Sequence, residues 1–491
     1  HSINNHIYHF FLYCMGIRTA VIDEFVILVA VSSVPTLSSK LTDLETFISS
    51  SCSMLRCLVL STRAASSTAS RSAAAAAAAV KPQAQQLTKS EEVFAREDKF
   101  GAQNYKPVPV ALSRGKGVYV WDVEGKQYFD FLSAYSAVNQ GHCHPRLVQT
   151  MTEQVQRLTL TSRAFYNDVL GEYEEYVTRL FKYDKVLPVN AGVEACETAV
   201  KLARRWAYDV KGVPHNQAKV VFAKDNYWGR SIAAISASTD PEATGGFGPF
   251  VPGFEVVEYN NLKAIEEAIK DPNTAALMLE PIQGEAGIVV PDKGYLKAAG
   301  ELCRKHNVLF IIDEVQTGLG RTGKLLCHYH DDVRPDMVVL GKALSGGMYP
   351  VSAVLADSHV MDVIRPGQHG STYGGNPLAA KLAITALDIL VSENLADNAA
   401  KQGERLMARL RTLPKDVVST VRGKGLLCAI VINKKFDATE VCLRLRDAGL
   451  LAKNTHGDII RFAPPLCINE KQIDKAADII ISTIQEFAAR K

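Results

Sequence analysis

Beyond about residue 90, short apolar runs alternate with longer amphipathic stretches along the chain. This alternation is typical of an α/β protein in which helices cover both faces of a buried, mainly parallel sheet. The apolar runs lack polar alternation, as expected of strands that are covered on both faces. The predicted strands are 185–189, 219–223, 275–279, 308–312 and 338–340.

The part of the chain after residue 376 has a different pattern. A helix is predicted to begin near Asp437, where Glu440 stands three residues on as in a capping box, and to end near Gly449. The last helix is predicted to begin near Asn469 and to pack on the body of the protein through one apolar face. That face consists of Ile473, Ala476, Ala477, Ile480, Ile484 and Phe487. Between the two helices, residues 459–462 are predicted to form a short strand with one charged residue, Arg461.

The first part of the chain has the composition of a leader. Its apolar run, residues 25–31, is shorter than the roughly 20 residues that span a bilayer. From Met54 onward arginine and serine are frequent, and no acidic residue occurs before Glu91. This is typical of an organelle-directed transit peptide and predicts a mitochondrial matrix protein. One alternative is a low-complexity tail on a cytoplasmic protein, and another is that residues 1–53 are upstream sequence preceding a start at Met54.

The length of 491 residues exceeds what one hydrophobic core usually organises. We therefore predict a leader at 1–88, made of the transit peptide and a disordered segment. An N-terminal segment at 89–140, a large domain at 141–376 and a small domain at 377–491 are predicted to follow. Apolar residues make up 47% of the chain and the net charge is only +3, so nothing indicates a nucleic-acid or membrane partner.

The ten cysteines are too sparse and uneven for a disulfide framework, which favours a reducing compartment. Cys143 lies in the sequence 141–145, between two histidines, and these residue types can bind metals. No second cluster stands at a zinc-like spacing, so we predict a structural loop there and no metal.

A carboxylate and a lysine follow two of the predicted strands. Asp313 comes directly after 308–312, and Lys342 comes one residue after 338–340. Open α/β sheets build their sites at the carboxyl ends of strands, so both side chains are expected at one edge. Chemistry based on pyridoxal 5′-phosphate (PLP) needs a lysine of lowered pKa that forms an imine and an acid that keeps the pyridine nitrogen protonated. The alternative is a structural ion pair between Asp313 and Lys342.

A glycine-bearing turn follows the predicted strand 185–189. Free backbone N–H groups at a helix start, together with the positive end of the helix dipole, bind phosphate. Gly192 and Val193 would supply those amides. Glycine also occurs at such turns only to make the turn, and this interpretation stays open.

Longer motifs carry a specific resemblance. Residues 310–323, followed by 340–347, are similar to the signature of the class III aminotransferases, which act on terminal amines. Residues 132–145 and 222–230 resemble the ornithine aminotransferases in particular. The similarity covers about residues 90–491. It implies the PLP-transferase fold type I, with a large domain around a mainly parallel sheet and a smaller α/β domain formed by the N- and C-terminal segments.

The resemblance implies roles for the residues that would hold PLP. Lys342 would carry the cofactor as a Schiff base and then act as the general base, and Asp313 would pair with the pyridinium nitrogen. Gln316 would bond to the ring hydroxyl. Tyr227 would stack on the ring, where family members often have phenylalanine.

The phosphate of the cofactor would be held by two subunits. Gly192 and Val193 match the phosphate-binding positions of the family. Thr372 matches a phosphate ligand that family members supply from the partner subunit, which implies a homodimer with the site at the interface.

Five positions match substrate residues of the ornithine aminotransferases. Arg230 and Tyr105 would hold the ornithine α-carboxylate, for which a planar guanidinium is well suited. Tyr135 matches the specificity tyrosine. Glu285 and Arg461 match a switching pair, in which the glutamate masks the arginine until 2-oxoglutarate binds. The alternative for this pair is a permanent salt bridge.

The implied reaction moves the δ-amino group of L-ornithine to 2-oxoglutarate. Its products are glutamate and glutamate-5-semialdehyde, which cyclises to pyrroline-5-carboxylate. One alternative is another ω-aminotransferase, acting on N-acetylornithine or 4-aminobutyrate. A second is a nucleotide- or phosphate-binding regulatory protein that uses the Gly192 turn without catalysis. Glu280, next to the predicted strand 275–279, is given no role.

Overall fold

The computed structural model describes the backbone at residues 18–22 and 25–29 and the chain from residue 87 to residue 489. Contacts divide the chain into two units, residues 1–85 and residues 86–491. In the first unit, β1 (Arg18–Ile22) and β2 (Phe25–Val29) pair as an antiparallel hairpin. The predicted transit peptide from Met54 onward falls almost entirely outside the described residues, and the leader stays a prediction.

A seven-stranded sheet is the largest of the second unit. Its strands are β6 (Lys185–Val189), β7 (Lys219–Ala223), β8 (Phe254–Val257), β9 (Thr274–Leu279), β10 (Leu309–Asp313), β11 (Met337–Leu340) and β12 (Ser352–Ala356). The spatial order is β6-β12-β11-β10-β9-β7-β8. The strands β7 to β11 pair in parallel, whereas β12 runs antiparallel to both of its neighbours. The five predicted strands are confirmed to within one residue at each end, and β8 and β12 are additional.

Helices cover this sheet and the rest of the unit. They are α1 (Lys89–Phe100), α2 (Pro145–Val155), α3 (Leu170–Phe181), α4 (Gly192–Trp206), α5 (Ile232–Ser236), α6 (Pro241–Thr244), α7 (Leu262–Ile269), α8 (Tyr295–Lys305), α9 (Ser358–Met361), α10 (Pro377–Ser392), α11 (Leu395–Leu410), α12 (Ala438–Asp447) and α13 (Glu470–Ala489). Within residues 87–489, none of the helices has the length and apolar character needed to cross a membrane.

Strand β10 shows why its sequence is continuously apolar. Leu309 and Ile311 belong to a buried cluster that includes residues of α4. Phe310 and Ile312 belong to a different cluster, which includes residues of α8. Because successive side chains point to opposite faces and both faces are covered, each residue contributes to burial. The predicted α/β architecture with a mainly parallel central sheet is therefore confirmed.

Two smaller sheets use the ends of the described chain. One is antiparallel and has the order β13 (Val418–Lys424), β14 (Leu427–Ile432), β17 (Ile459–Phe462) and β16 (Lys453–Thr455). The other has the order β15 (Leu450–Leu451), β5 (Gln127–Asp130), β4 (Tyr119–Asp122) and β3 (Leu112–Lys116). Strand β15 pairs in parallel with β5, so N-terminal and C-terminal segments share one sheet. The domain limits themselves stay a prediction.

The two helices predicted near the C-terminus are confirmed. Asp437 starts α12 by accepting a hydrogen bond from Thr439 N (2.8 Å). Asn469 starts α13 by accepting one from Gln472 N (3.0 Å). The predicted apolar face of α13 is buried along its whole length.

Arg321 joins three segments that are distant in the sequence. Its side chain is fully buried and follows β10 by eight residues. It donates to Leu426 O (3.0 Å) and Pro464 O (2.6 Å) near the C-terminus. It also donates to Asn139 Oδ1 (2.5 Å), in the N-terminal part of the unit. The loop after β10 is thereby fixed to both ends of the fold.

Candidate active site

The carboxyl ends of the central strands surround a cavity of about 300 Å³. Residues after five strands line it: Gly192 and Val193 after β6, Tyr227 and Arg230 after β7, Glu280 and Glu285 after β9, Asp313 and Gln316 at the end of β10, and Lys342 after β11. The predicted cofactor residues of one chain, all except Thr372, therefore lie around one space.

Lys342 stands at the start of a short 3₁₀ turn that follows β11. Its φ is 45°, in the left-handed region that residues other than glycine seldom adopt. Such backbone strain is concentrated at functional sites. Burial lowers the pKa of Lys342, although the carboxylates of Glu285 and Asp313 act in the opposite direction. A larger fraction of this amine is therefore neutral and able to accept a proton or attack a carbonyl.

Asp313 is the last residue of β10 and is only 5% exposed. Its Oδ1 accepts a hydrogen bond from Val315 N (2.9 Å), and its Oδ2 accepts one from Cys196 Sγ (3.4 Å). These two hydrogen bonds hold the carboxylate, and Asp313 makes no ion pair with Lys342 within 4.0 Å. This is evidence against the alternative that the two residues form a structural ion pair. Burial raises the pKa of Asp313 to about 6. A cationic group placed beside it would stabilise the charged form.

Two residues at the cavity make contacts that the sequence did not reveal. Cys196 lies on α4, and its thiol stays protonated because burial and the charge of Asp313 raise its pKa well above the usual value. Glu280 accepts hydrogen bonds from Tyr227 N (3.1 Å) and Gly284 N (3.0 Å) and so connects two loops of the site. Burial and Asp313 raise the pKa of Glu280 to about 8. Its position after a buried strand was a usable signal, whereas nothing marked Cys196.

The start of α4 forms the other end of the cavity. Gly192 begins the helix, and a Cβ at this position would lie only 3.0 Å from Val315 Cγ1, so glycine allows the close packing. Thr372 is exposed and lines neither this cavity nor the adjoining one. Its neighbour Ser371 accepts a hydrogen bond from Asn190 Nδ2 (2.8 Å), just before the helix.

A second, adjoining cavity of about 610 Å³ opens on the same lysine. The predicted substrate residues Tyr105, Tyr135, Arg230 and Glu285 line it. The Arg230 side chain is 56% exposed, and its nearest acid is Asp240, at 3.8 Å from Nη1 to Oδ2. Arg230 is therefore open to an anion that enters from solvent.

The second arginine of the site is masked. Arg461 Nη1 lies 2.7 Å from Glu285 Oε1, and its side chain is only 6% exposed. Burial alone would raise the pKa of Glu285, but the charge and hydrogen bond of Arg461 hold that pKa below its usual value. The guanidinium also lies over the Tyr135 ring, at 4.9 Å from the ring centroid.

These groups fit PLP. Gln316 Oε1 is buried without a hydrogen-bond partner in the part of the chain from 87 to 489, so it is available to a ring hydroxyl. Asp313 offers a buried carboxylate to a pyridinium nitrogen, Lys342 offers an amine, and the start of α4 offers backbone N–H groups to a phosphate.

Comparisons with known proteins agree with this geometry. The family described as Aminotransferase class-III matches residues 100–484. The probable mitochondrial ornithine aminotransferase of Caenorhabditis elegans is 72% identical over 407 residues, which are 83% of this chain and 96% of that protein.

Two solved structures are also similar. The ornithine aminotransferase from Toxoplasma gondii is 47% identical, has a TM-score of 0.82, and aligns over 83% of this chain and 97% of its own. The acetylornithine aminotransferase from Elizabethkingia anophelis is 53% identical, has a TM-score of 0.75, and aligns over 82% of this chain and 100% of its own. The chain belongs to the class-III aminotransferase family, whose members are PLP-dependent transaminases of fold type I.

Proposed function

We propose that this chain transfers the δ-amino group of L-ornithine to 2-oxoglutarate, giving glutamate-5-semialdehyde and glutamate. The observation that carries the proposal is the presence of two arginines beside one lysine, Arg230 open and Arg461 masked by Glu285. Ornithine has one carboxylate and 2-oxoglutarate has two. Arg230 is available to the single carboxylate of ornithine, and Arg461 becomes available to the second carboxylate of 2-oxoglutarate when Glu285 moves away. The site can therefore bind both substrates.

For ornithine, Arg230 and Tyr105 hold the α-carboxylate at the open end of the larger cavity, and a guanidinium binds a carboxylate with two parallel hydrogen bonds. The δ-amine then points toward Lys342. Bound PLP supplies an electron sink that makes the Cδ proton acidic. Lys342 accepts that proton, and burial, which lowers its pKa, favours the neutral amine that acts as a base.

For 2-oxoglutarate, the α-carboxylate must lie near Lys342 while the second carboxylate reaches Arg230. Arg461 is near enough to Lys342 for its charge to lower the lysine pKa, and Glu285 has to move away before Arg461 can bind a substrate. Glu285 is 28% exposed on its side chain, so its carboxylate can turn toward water, while the α-carboxylate of 2-oxoglutarate takes its place beside the buried Arg461.

The remaining roles follow from the same arrangement. Gly192 and Val193 would hold the phosphate of PLP, and Gln316 would bond to its ring hydroxyl. Asp313 would pair with the pyridinium nitrogen, and Tyr227 would stack on the ring. We place Thr372 at the cofactor phosphate of a partner subunit, so that the working form is a homodimer. The exposed position of Thr372 supports this, because the side chain is free to reach another chain. A mitochondrial matrix location is part of the proposal and is supported by the name of the Caenorhabditis elegans relative.

The second candidate is an N-acetylornithine aminotransferase. The similarity to the Elizabethkingia anophelis enzyme favours it, since that protein is 53% identical. Both candidates use the same cofactor residues, so only substrate preference separates them.

A panel of amines with 2-oxoglutarate as the acceptor tests the proposal. L-Ornithine, N-acetylornithine and 4-aminobutyrate are compared by kcat/KM, and ornithine is expected to be the best substrate. A higher value for N-acetylornithine would replace the proposal with the second candidate.

The role of Lys342 has its own test. Borohydride reduction followed by peptide mapping is expected to find the pyridoxyl group on Lys342, and Lys342→Ala is expected to abolish turnover. Lys211 is a matched control, because burial lowers its pKa as well, but it bonds to Thr274 O (2.7 Å) at the opposite end of β9. Lys211→Gln should keep the activity. Label on another lysine would remove Lys342 from the mechanism.

A further inference from the structure

The turn that carries Tyr135 has an unusual backbone. Ser133, Ala134, Tyr135 and Ser136 have φ values of 48°, 47°, 60° and 71°. Left-handed backbone costs free energy at every residue other than glycine, and it rarely extends over consecutive residues. The sequence contains no glycine or asparagine at these four positions. Contacts outside the turn must therefore hold it in this conformation.

Asp130, at the end of β5, supplies those contacts. Its Oδ1 accepts hydrogen bonds from Leu132 N (2.9 Å) and Ser133 N (2.8 Å), at the entrance to the left-handed turn. Its Oδ2 lies 2.7 Å from His142 Nε2. Both oxygens of the Asp130 carboxylate therefore have hydrogen-bond partners, and the Asp130 side chain is only 11% exposed.

His142 is itself fixed in place. Its backbone N–H donates to Gly117 O (2.8 Å), and its carbonyl accepts from Gly117 N (2.9 Å). A Cβ at Gly115 would lie 2.8 Å from His142 Cγ, so the strand of Gly115 packs directly against the imidazole ring. The ring is a rigid donor for Asp130.

The turn presents Tyr135 to the substrate cavity. The Tyr135 ring lines that cavity and lies under the guanidinium of Arg461. A change in the turn would therefore move the wall that ornithine contacts, while Lys342 and Asp313 stand on other elements. Neither Asp130 nor His142 lines either cavity.

We propose that Asp130 and His142 are positioning residues, which hold the left-handed turn 133–136 and thereby set the position of Tyr135 against the substrate. This inference rests on the proposed function, because it assigns Tyr135 to ornithine. It predicts that the Asp130–His142 pair governs substrate affinity more than the chemical step.

His142→Ala removes the donor to Asp130 and is the main test. We expect KM for ornithine to rise about tenfold, as for the loss of a hydrogen bond to a charged group, with kcat within about twofold. His142→Gln, whose amide can still donate to Asp130, should recover most of the affinity. His306→Ala is the matched control, because His306 also pairs with a carboxylate, Glu266 (3.4 Å), and is similarly exposed. It should change neither constant.

A double-mutant cycle with Tyr135→Ala decides whether His142 acts through Tyr135. In the Tyr135→Ala background, His142→Ala should raise KM little further. An equal rise in both backgrounds would overturn the proposal. So would a loss of kcat with KM unchanged.

Amide hydrogen exchange gives a readout that needs no turnover. In His142→Ala, exchange should become faster in peptides covering 131–138 and should stay the same in peptides covering the start of α4. Unchanged exchange at 131–138 refutes the proposal. If His142→Ala does not fold, His142→Phe, which keeps a ring beside Gly115 but cannot donate to Asp130, takes its place in both measurements. Failure of the wild-type chain to use ornithine would instead contradict the proposed function, and the exchange result would still stand.

Discussion

Removal of Glu285 should change which substrate the enzyme prefers. In Glu285→Ala, Arg461 loses the carboxylate that lies 2.7 Å away and becomes permanently available. Glutamate and 2-oxoglutarate should then react faster, because no ion pair has to be broken before their α-carboxylate binds. Ornithine should react more slowly at its δ-amine, because its α-carboxylate can now bind to Arg461 instead of Arg230 and bring the α-amine to Lys342.

The structure sets the size of the effect. A hydrogen bond between charged groups typically contributes about 1.5–3 kcal/mol. Arg461 is almost completely buried, but Glu285 is 28% exposed, so water screens part of the interaction and the lower end applies. About 1.5 kcal/mol corresponds to roughly a tenfold change in the ratio of the two half-reaction rates.

Single-turnover absorbance measurements of each half-reaction give this ratio directly. Asp474→Asn is the matched control, because Asp474 Oδ1 lies 2.7 Å from Arg405 Nε, the same distance as in the Glu285–Arg461 pair, in an ion pair away from the site. This variant should leave the ratio unchanged. If Glu285→Ala slows both half-reactions equally, the pair is a permanent salt bridge and the switch does not exist.

Four further predictions follow from the described residues. Asp313→Asn should lower turnover about a hundredfold and weaken PLP binding, because the carboxylate at the ring nitrogen is lost, and steady-state rates with a PLP titration check this. The pKa of Glu280 is about 8 in the folded protein and about 4.5 in the unfolded chain. Between these pH values the folded protein binds one more proton than the unfolded chain, so the free energy of unfolding should fall as pH rises. Urea unfolding of the cofactor-free protein should show a smaller fall in Glu280→Gln, and an equal fall would exclude Glu280 as the cause. Tyr227→Phe should keep kcat within about twofold, since the stacking face is preserved, and a larger loss would assign a function to the hydroxyl. A chain starting at Leu87 retains the Thr88 cap of α1 and should be soluble and fully active, whereas insoluble protein would show that earlier residues are needed.

The sequence predicted the site elements because they depend on local patterns. Strands β6, β7, β9, β10 and β11 are mostly apolar runs; Asp313 ends β10, and Lys342 comes two positions after the end of β11. The roles of the substrate residues came from the resemblance alone. No local pattern brings Arg461, on β17, to Glu285, which follows β9, because the contact depends on how distant segments pack.

Two other features of the fold could not be predicted from the sequence. The turn at 133–136 consists of serine, alanine and tyrosine, which do not favour the left-handed region, and the contact between Asp130 and His142 depends on how their segments pack. The antiparallel β12 is apolar and buried like the other strands, so its direction could not be read from its residues.

The bonds of Arg321 have a consequence for how the site assembles. A fragment limited to residues 141–376 would contain Lys342 and Asp313, but it would lack Asn139, Leu426 and Pro464, which are the acceptors of the buried guanidinium. That fragment would have to bury an unsatisfied cation or expose the loop after β10. The buried position of the loop after β10 therefore depends on segments from both sides of this fragment, and a nascent chain cannot satisfy the Arg321 guanidinium until it has been synthesised through Pro464.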